Sequence, residues 1–380
     1  MTRARRIAYI TGTRADFGLM QSTLQSIDDD PSLELQIIVT GTHLLSEYGM
    51  TIKDIEASGL PVTSTIAIEP GRPSGLLMAR NIARMLEGFA SELDRLRPDL
   101  ALLLGDRGEM LAGATAALHL NIPTAHIHGG ERSGTVDEPI RHAISKLSHL
   151  HFVATEGSRN RLIRMGENPA HIHVTGAPGL DGLADIAMQS KAYLFDRHGL
   201  DPHRSTAMLL YHPVVQEAAS GPTRTYAMLT ALQDMNLQVL ALRPNSDAGG
   251  MDICEVLQRH SETNARIRVV THLPRGDFVS FLRHIDLLVG NSSSGIIEAA
   301  SFGTPVVNIG SRQNLRERNA NVIDTSGETV EQIRASLEAA LKMGRQSSRN
   351  VYGDGRAGPR ITEILRTFPL ASLGNKTNAY

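Results

Sequence analysis

The chain has 380 residues, 41% of them hydrophobic, and 38 Lys and Arg residues stand against 40 Asp and Glu, a formal net charge of −2 at pH 7. This length exceeds the usual size of one domain and predicts two domains with a cleft between them. The near-neutral charge gives no global attraction to nucleic acid or to an acidic membrane surface, so an anionic ligand needs a local site.

Cys254 is the single cysteine, which excludes an intrachain disulfide and cysteine-cluster metal sites and favours a reducing compartment. The apolar stretch near the start, Ile7–Ile10, is too short for the core of a signal peptide. No apolar run reaches the roughly 18 residues of a membrane helix. We therefore expect a soluble, cytoplasmic protein that binds neither membrane nor nucleic acid.

Short, apolar, β-rich runs alternate with helical patterns along the whole chain. Continuous apolar strands separated by helices predict parallel sheets that helices cover on both faces. The first series of predicted strands comprises Ile7–Thr11, Leu35–Thr40, Leu100–Gly105, Thr124–Ile127 and Phe152–Thr155, with Leu76–Leu96 as its longest helix. The second series comprises Ala207–Tyr211, Val239–Leu242, Ile267–Thr271, Leu287–Gly290 and Pro305–Ile309.

The two series of strands predict two α/β domains. Gly and Pro residues interrupt helical continuity between Gly176 and Gly182, which places the boundary there. We predict a first domain over residues 1–176, a second over 177–355, and a C-terminal segment, 356–380. Its helix, Ile361–Phe368, is a candidate to pack back onto the first domain.

Ligands of open parallel sheets bind beyond the carboxyl ends of the strands, so polar loops directly after strands are the candidate site. The first such loop, Thr11–Gly18, precedes a helix predicted to start near Leu19. Gly12 permits a close backbone approach, and the Arg14 guanidinium suits a phosphate. Asp106, after a buried strand, is a candidate for proton transfer or for capping the next helix.

The densest polar segment, 126–142, also follows a strand and continues into a helix. Asp137 and Arg141 stand four residues apart, a spacing that puts both on one helical face as a functional or an ordinary surface pair. His126 and His128 alternate on a strand and could ligate a metal with a carboxylate, but such pairs are commoner without one. We expect no metal and no cofactor.

In the second half, His212 and Asn245 each follow the end of a predicted strand. An imidazole at this edge suits ligand binding or proton transfer near neutral pH, or a packed structural role. The segment Gly290–Glu298 links a buried strand to a helix, so its backbone N–H groups and serine hydroxyls can bind phosphate as well as cap the helix. Glu298, one turn later, is a candidate for binding ribose hydroxyls.

Seven segments together resemble the hydrolysing UDP-N-acetylglucosamine 2-epimerase family over nearly the full chain. They are GTRADFG at 12–18, LGDR at 104–107, HIHGGERSGTVDEPIRH at 126–142, YHPV at 211–214, RPNSDAG at 243–249, GNSSSGIIEAASFGTPVVNIGSRQ at 290–313 and YGDG at 352–355. The resemblance implies a GT-B-like pair of Rossmann-type domains with the sugar chemistry in the cleft between them. It also implies a homodimer and a role in sialic-acid synthesis.

The resemblance assigns two sets of residues. Those that match nucleotide-binding or substrate-binding positions are Arg14, Arg107, His212, Asn245, Ser292, Ser293, Glu298 and Arg312. Those that match positions implicated in catalysis are Asp106, Asp137 and Arg141, to which we add Glu131 of the same loop and His212.

His128 departs from the family pattern, since many relatives carry a catalytic glutamate at this position. A histidine can still transfer protons, but its charge and reach differ, so we keep it as a catalytic candidate. The departure leaves the assignment of acid and base open. It also points to a branch that acts on a related sugar.

The implied reaction converts UDP-N-acetylglucosamine and water to N-acetylmannosamine and UDP through a 2-acetamidoglucal intermediate. Two alternatives remain open at this point. One is a hydrolysing 2-epimerase of UDP-2,4-diacetamido-2,4,6-trideoxyglucose in legionaminic-acid synthesis, and the other is a GT-B glycosyltransferase with the same architecture.

Overall fold

The computed structural model describes residues 3–133, 137–245, 247, 249–347, 349–374 and 376–379. Its strands are β1 (Arg5–Thr11), β2 (Leu33–Thr40), β3 (Val62–Ile66), β4 (Leu100–Leu104), β5 (Thr124–Ile127), β6 (Leu150–Val153), β7 (Ile172–Val174), β8 (Thr206–Leu210), β9 (Gln238–Leu242), β10 (Ile267–Val270), β11 (Leu287–Gly290), β12 (Val306–Ile309) and β13 (Val322–Thr325).

Its helices alternate with these strands. They are α1 (Arg14–Asp28), α2 (Ile52–Ala57), α3 (Gly75–Leu96), α4 (Gly108–His119), α5 (Asp137–Leu147), α6 (Glu156–Arg164), α7 (Leu183–Ile186), α8 (Lys191–Arg197), α9 (Gly221–Asp234), α10 (Gly250–Thr263), α11 (Arg275–His284), α12 (Ser293–Ile297), α13 (Val330–Met343) and α14 (Ala357–Thr367). None of the described helices is long and apolar enough to cross a membrane.

The strands form two parallel sheets, with the orders β3-β2-β1-β4-β5-β6-β7 and β10-β9-β8-β11-β12-β13. Each sheet has helices packed on its faces, and the strand cores are continuous apolar runs such as LALLL in β4 and TAMLL in β8. Burial on both faces accounts for these runs, since no face needs polar residues. The predicted α/β fold of two Rossmann-type units is confirmed.

The first helix begins earlier than predicted. We expected it to start near Leu19, but α1 starts at Arg14. The Thr13 side chain accepts a hydrogen bond from the Asp16 backbone N–H, and the Asp16 carboxylate accepts one from the Thr13 N–H at 2.7 Å. This reciprocal cap stabilises a helix start directly after the loop and puts Arg14 in the first turn.

Edge strands account for most of the other differences. β3, β7 and β13 lie at sheet edges and were not predicted, because they are short and, in β3, largely polar. The strand predicted at Phe152–Thr155 lies two residues earlier, at Leu150–Val153. Thr155 instead caps α6 by accepting a hydrogen bond from the Ser158 N–H.

The C-terminal helix α14 packs beside α1. Its buried residues Ala357, Ile361 and Leu365 share one apolar cluster with Ile7 of β1 and Leu24 of α1. At its start, the Asp181 carboxylate accepts hydrogen bonds from the first backbone N–H groups of the helix. The domain bounds given above remain a prediction.

Candidate active site

The polar loops singled out in the sequence flank the switch points of the two sheets. In the first sheet the strand order reverses between β1 and β4, and in the second between β8 and β11, while all these strands stay parallel. Loops at such points leave a crevice in which ligands of doubly wound sheets bind. The two crevices face each other across the interdomain cleft.

A cavity of about 490 Å³ lies in this cleft and receives residues from both sides. Arg14, Phe17 and Gly18 line it from the first side. The residues that line it from the second side include His212, Arg243, Ser292, Ser293, Ser294 and Glu298. Its volume is typical of a small-molecule site, and a site between domains is a common place for one.

The loops that follow the strands of the first sheet form one edge of the cleft, the first edge, and those of the second sheet form the second edge. Arg141 of α5 organises the carboxylates of the first edge. Its side chain is only 2% exposed, contacts the Asp106 carboxylate and donates a hydrogen bond to the His128 carbonyl oxygen at 2.8 Å. An ordinary surface pair with Asp137, one of the two alternatives that the spacing left open, does not fit a buried Arg141 that contacts Asp106. Arg141 points into the first unit, whereas Asp137 lies 3.6 Å from Arg312 across the cleft.

Asp137 has an environment that favours its protonated form. Burial raises the pKa of Asp137, the neighbouring Asp106 carboxylate raises it further, and Arg312 opposes both effects. A carboxylic acid that keeps its proton at higher pH than usual suits a proton donor. Asp106 and Asp137 are thus placed together in different electrostatic surroundings.

Glu131 is fully buried in the same network. Its Oε1 atom contacts the His128 Nδ1 atom, and its Oε2 atom contacts Arg316 and lies 3.8 Å from Arg141. Burial opposes ionisation, but Arg316, His128 and Arg141 outweigh it and hold the pKa of Glu131 well below its usual range. Glu131 is therefore an ionised carboxylate held by cations from both sides of the cleft.

His126 has a structural environment. Its Nε2 atom lies 2.7 Å from the Gly105 carbonyl oxygen, which makes Nε2 the protonated nitrogen, and its Nδ1 atom lies 3.0 Å from the Ser145 hydroxyl. Burial lowers the pKa of His126 to about 3, so the ring is neutral. Within the described ranges there is no group of three or more His, Cys, Asp or Glu residues that could hold a metal ion.

His212 lies at the second edge as a neutral hydrogen-bond donor. The Asn245 backbone N–H donates to the His212 Nδ1 atom at 3.1 Å, so the proton of the neutral ring is on Nε2. Burial, helped by the charge of Arg312, lowers the pKa of His212 to about 3. This arrangement favours donation to a ligand over proton abstraction.

The loop after β11 brings hydroxyl groups to the cleft. The Ser292 hydroxyl caps α12 and lies 2.8 Å from the Ser294 hydroxyl. Gly290 is required before this loop, because a Cβ atom there would lie 1.9 Å from the Leu210 carbonyl oxygen. Since α12 spans only Ser293–Ile297, positive charge for an anion must come mainly from Arg14 and Arg312.

Arg14 has unusual surroundings for a cation. Burial lowers the pKa of Arg14 to about 10, and its guanidinium contacts the His272 ring of the second unit. Desolvation of this kind strengthens an interaction with an anionic ligand. At Glu298 the sequence interpretation was incomplete, because Arg275 of α11 lies 2.5 Å from its carboxylate.

Three further residues belong to the site and were not predicted: Asp247, Arg275 and Arg316. Asp247 lies 3.0 Å from Arg107 and 2.5 Å from the Asn245 amide nitrogen, and its charge raises the pKa of Arg107. Asp247 stands inside the quoted segment RPNSDAG and could have been found there. Arg275 and Arg316 had no local signal, since their partners lie far away in the sequence.

A second cavity, of about 310 Å³, adjoins Asp106, Arg107 and Asp137. Much of its lining is apolar and comes from α3 and the segments around it. The apolar lining residues include Leu45, Ile68, Met78, Ile82, Met85 and Ile140.

Comparison with known proteins gives the family. The model of the UDP-N-acetylglucosamine 2-epimerase family matches residues 25–366. The chain belongs to this family. Its activity, at the level of the family, is 2-epimerisation of a UDP-sugar.

Among relatives of this epimerase, UDP-N,N'-diacetylbacillosamine 2-epimerase (hydrolyzing) of Legionella pneumophila is 48% identical over 99% of this chain and 100% of that one. UDP-N-acetylglucosamine 2-epimerase of Neisseria meningitidis is 35% identical over 95% of each chain. A crystal structure of UDP-GlcNAc 2-epimerase from Neisseria meningitidis bound to UDP-GlcNAc has a TM-score of 0.81 at 19% identity, covering 95% of this chain and 99% of that one.

Proposed function

We propose that this epimerase is hydrolysing and that its substrate is UDP-N,N'-diacetylbacillosamine, the 2,4-diacetamido-2,4,6-trideoxy sugar nucleotide. The observation that carries this proposal is the 48% identity, over both full chains, to the Legionella enzyme of that name. A hydrolysing relative from Campylobacter jejuni, named for GDP/UDP-N,N'-diacetylbacillosamine, is 32% identical over 88% of each chain.

The apolar cavity beside Asp106 and Asp137 supports this choice of sugar. The proposed substrate carries an acetamido group at C4 and a methyl group at C5, where N-acetylglucosamine carries a hydroxyl and a hydroxymethyl group. Ile82, Met85 and Ile140 offer apolar contacts to methyl groups, and the other lining residues include the polar Thr42, Glu47, Tyr48, Glu69 and Asn81. Burying an unpaired hydroxyl is unfavourable, so the apolar part of this lining favours the deoxy sugar.

The proposed reaction has two halves. In the first, a base takes the proton from C2 while the C1–O bond breaks, its electron pair leaves with UDP, and a C1=C2 double bond forms. In the second, the C1=C2 electron pair takes a proton at C2 on the opposite face, the oxygen of water bonds to C1, and that water gives up one proton to a base of the site. The net change consumes one water and yields UDP and the free 2-epimer.

The acid and base roles fall to the first edge of the cleft. We infer that Asp106, His128 and Asp137 exchange protons with the sugar and water, while Arg141 orients Asp106. The raised pKa of Asp137, caused by burial and by Asp106, suits the proton donor. Inversion at C2 removes a proton from one face and adds one to the other, so it needs two proton-transfer groups. The first edge supplies more than one such group.

Nucleotide binding falls to the second edge and to Arg14. Departure of UDP develops negative charge on its phosphates, which Arg14, Arg312, the His212 Nε2–H group and the Ser293 hydroxyl can stabilise. Asn245 holds the His212 tautomer through its backbone N–H. In this assignment Ser292 and Glu298 bind the nucleotide with them, and Arg107 completes the site through Asp247.

UDP-N-acetylglucosamine, the substrate predicted from the sequence, is the second candidate. The 35% identity to the Neisseria enzyme supports it. No observation favours the glycosyltransferase alternative. The homodimer and the sialic-acid pathway remain predictions from the resemblance.

The test is proton NMR of the purified protein with each UDP-sugar in deuterated water, following free UDP and deuterium at C2. Preferred turnover of the diacetamido substrate, with C2-labelled free sugar, is the expected result. Preferred turnover of UDP-N-acetylglucosamine would replace the proposed substrate with the second candidate. A UDP-sugar product, without free UDP, would remove hydrolysis.

A further inference from the structure

His128 has a backbone conformation that non-glycine residues rarely adopt. Its φ angle is +62°, in the left-handed region. Two hydrogen bonds hold it there: the His128 N–H donates to the Phe152 carbonyl oxygen at 3.0 Å, and Arg141 donates to the His128 carbonyl oxygen at 2.8 Å. Such strain persists only where the surrounding structure enforces it, and it is concentrated at functional sites.

The ring of His128 is oriented by Glu131. Its Nδ1 atom contacts the Glu131 Oε1 atom, and because an ionised carboxylate only accepts, Nδ1 carries the proton. The other nitrogen, Nε2, has no hydrogen-bond partner among the described residues. With 9% of the side chain exposed, Nε2 is the atom left for a substrate.

Glu131 itself cannot meet a substrate in this arrangement. Its side chain is 0% exposed, Oε1 is taken by His128, and Oε2 is taken by Arg316. Its carboxylate therefore acts on the reaction only through the groups it contacts. This differs from Asp106 and Asp137, whose side chains are each 22% exposed at the cleft.

Arg316 comes from the other side of the cleft. It lies in the second unit, between β12 and β13, and its side chain is 7% exposed. Together with Arg141 of α5 it balances the charge of the buried Glu131 carboxylate. The contact exists only while the two units hold the positions they have in this structure.

We propose that Glu131 and Arg316 are positioning residues for the proton transfer of this epimerase: Glu131 holds His128 with Nε2 facing the substrate, and Arg316 holds Glu131 from the opposite unit. The inference rests on the proposed function. In the form with a proton on Nδ1 only, His128 takes the C2 proton at Nε2 as the C1–O bond breaks and the electron pair leaves with UDP. Glu131 stabilises the resulting imidazolium, which later returns its proton to water.

The pH profile of kcat distinguishes a positioning role of Glu131 from a merely structural one. Glu131, which contacts the His128 ring, is itself bound by Arg141 of α5 and Arg316 of the second unit, and His126 of β5 is a neighbouring titratable ring. Glu131→Gln keeps the size of the side chain but removes the charge that stabilises imidazolium. We expect kcat to fall by about 10²-fold and the acid limb of the kcat profile to move to lower pH.

Two substitutions, one that removes the charge and one that keeps it, test the role of Arg316. Arg316→Gln is expected to lower kcat by about 10-fold with little change in KM, whereas Arg316→Lys, which keeps the charge, recovers most of the loss. The matched control is Arg72→Gln. Arg72 also bridges the two units, 2.8 Å from Asp252, but both side chains are well exposed, so the wild-type rate is expected.

Circular dichroism of each variant checks the fold, and the conservative Arg316→Lys serves if Arg316→Gln does not fold. An acid limb that stays in place in Glu131→Gln, or a rate in Arg316→Gln equal to that of Arg72→Gln, would overturn the inference. No UDP release by the wild-type protein from either UDP-sugar would overturn the proposed function and, with it, this inference. If the wild-type protein turns over a UDP-sugar but the variants behave as the controls do, the positioning role alone is overturned.

Discussion

The two edges that meet in the cleft use different chemistry. The first carries buried or partly buried carboxylates, Asp106, Glu131 and Asp137, whose charge arginines from both units balance. The second offers groups of fixed protonation, namely the neutral His212 ring and the serine hydroxyls after β11.

This difference follows from what each edge must do. Breaking and forming a bond to hydrogen at C2 requires groups that gain and lose protons, and such groups need environments that tune their pKa. A nucleotide that is bound and released unchanged requires donors that stay donors throughout. The proposed division of labour is therefore testable edge by edge.

The largest effect is expected from the first edge. Asp106→Asn or Asp137→Asn should each lower kcat by about 10²-fold or more, because each removes a group proposed to transfer a proton. UDP release, followed with a coupled assay, measures it. Both variants should keep the UDP dissociation constant of the wild type within about twofold. Turnover near the wild-type rate in both would contradict the assignment of the first edge.

At the second edge we expect a smaller effect, and we expect it on UDP binding. Ser293→Ala should weaken UDP binding by about 5- to 10-fold, since it removes one hydroxyl donor worth about 1 kcal/mol. Isothermal titration with UDP measures it, and Ser293 is preferred because Ser292 also caps α12. Unchanged UDP affinity would move the phosphates away from this loop.

A shift of the pH profile is expected at the contact between the edges. If Asp137 donates a proton, kcat falls as the pH rises through its raised pKa, because only the protonated form donates. Arg312 lowers that pKa, so Arg312→Gln should move the alkaline limb to higher pH at saturating substrate. Asp137→Asn, which has no carboxyl group to titrate, is the control. A limb that moves to lower pH would refute the proton-donor role.

The smallest effect on activity is expected at a buried carboxylate far from the cleft. Glu167 contacts His151, Lys146 and Lys376. Burial opposes its ionisation, but these partners hold the pKa of Glu167 at about 2. Its ionised form therefore contributes stability above the ordinary Glu pKa of about 4.3, and this stability is lost as the pH falls from about 4.3 through the folded-state pKa of about 2.

Lys376→Ala should cost about 1–3 kcal/mol of unfolding free energy near neutral pH and leave kcat unchanged. Urea unfolding at pH 7 and in acid measures it. A large loss of kcat in this variant would mean that buried carboxylates affect turnover wherever they lie. The special role of the carboxylates at the first edge would then be contradicted.

The sequence by itself determined the two parallel sheets, because apolar runs alternating with helices leave few other ways to bury them. It also placed Asp106, His212 and Ser292 correctly after strands, since chain order alone puts those loops at one edge of each sheet. The family followed from short segments spread over the chain. The helix start at Arg14 was misplaced, although the cap at Thr13 and Asp16 was legible in the sequence.

Only the tertiary structure decided the pairings. The spacing of Asp137 and Arg141 puts them on one helical face, but Arg141 is buried against Asp106, and Arg312 of the opposite unit lies beside Asp137. Glu131 and Arg316 are 185 residues apart, and the His212 tautomer depends on a backbone N–H of another loop. These contacts depend on which groups lose water when the units pack together, and no local pattern of residues encodes that.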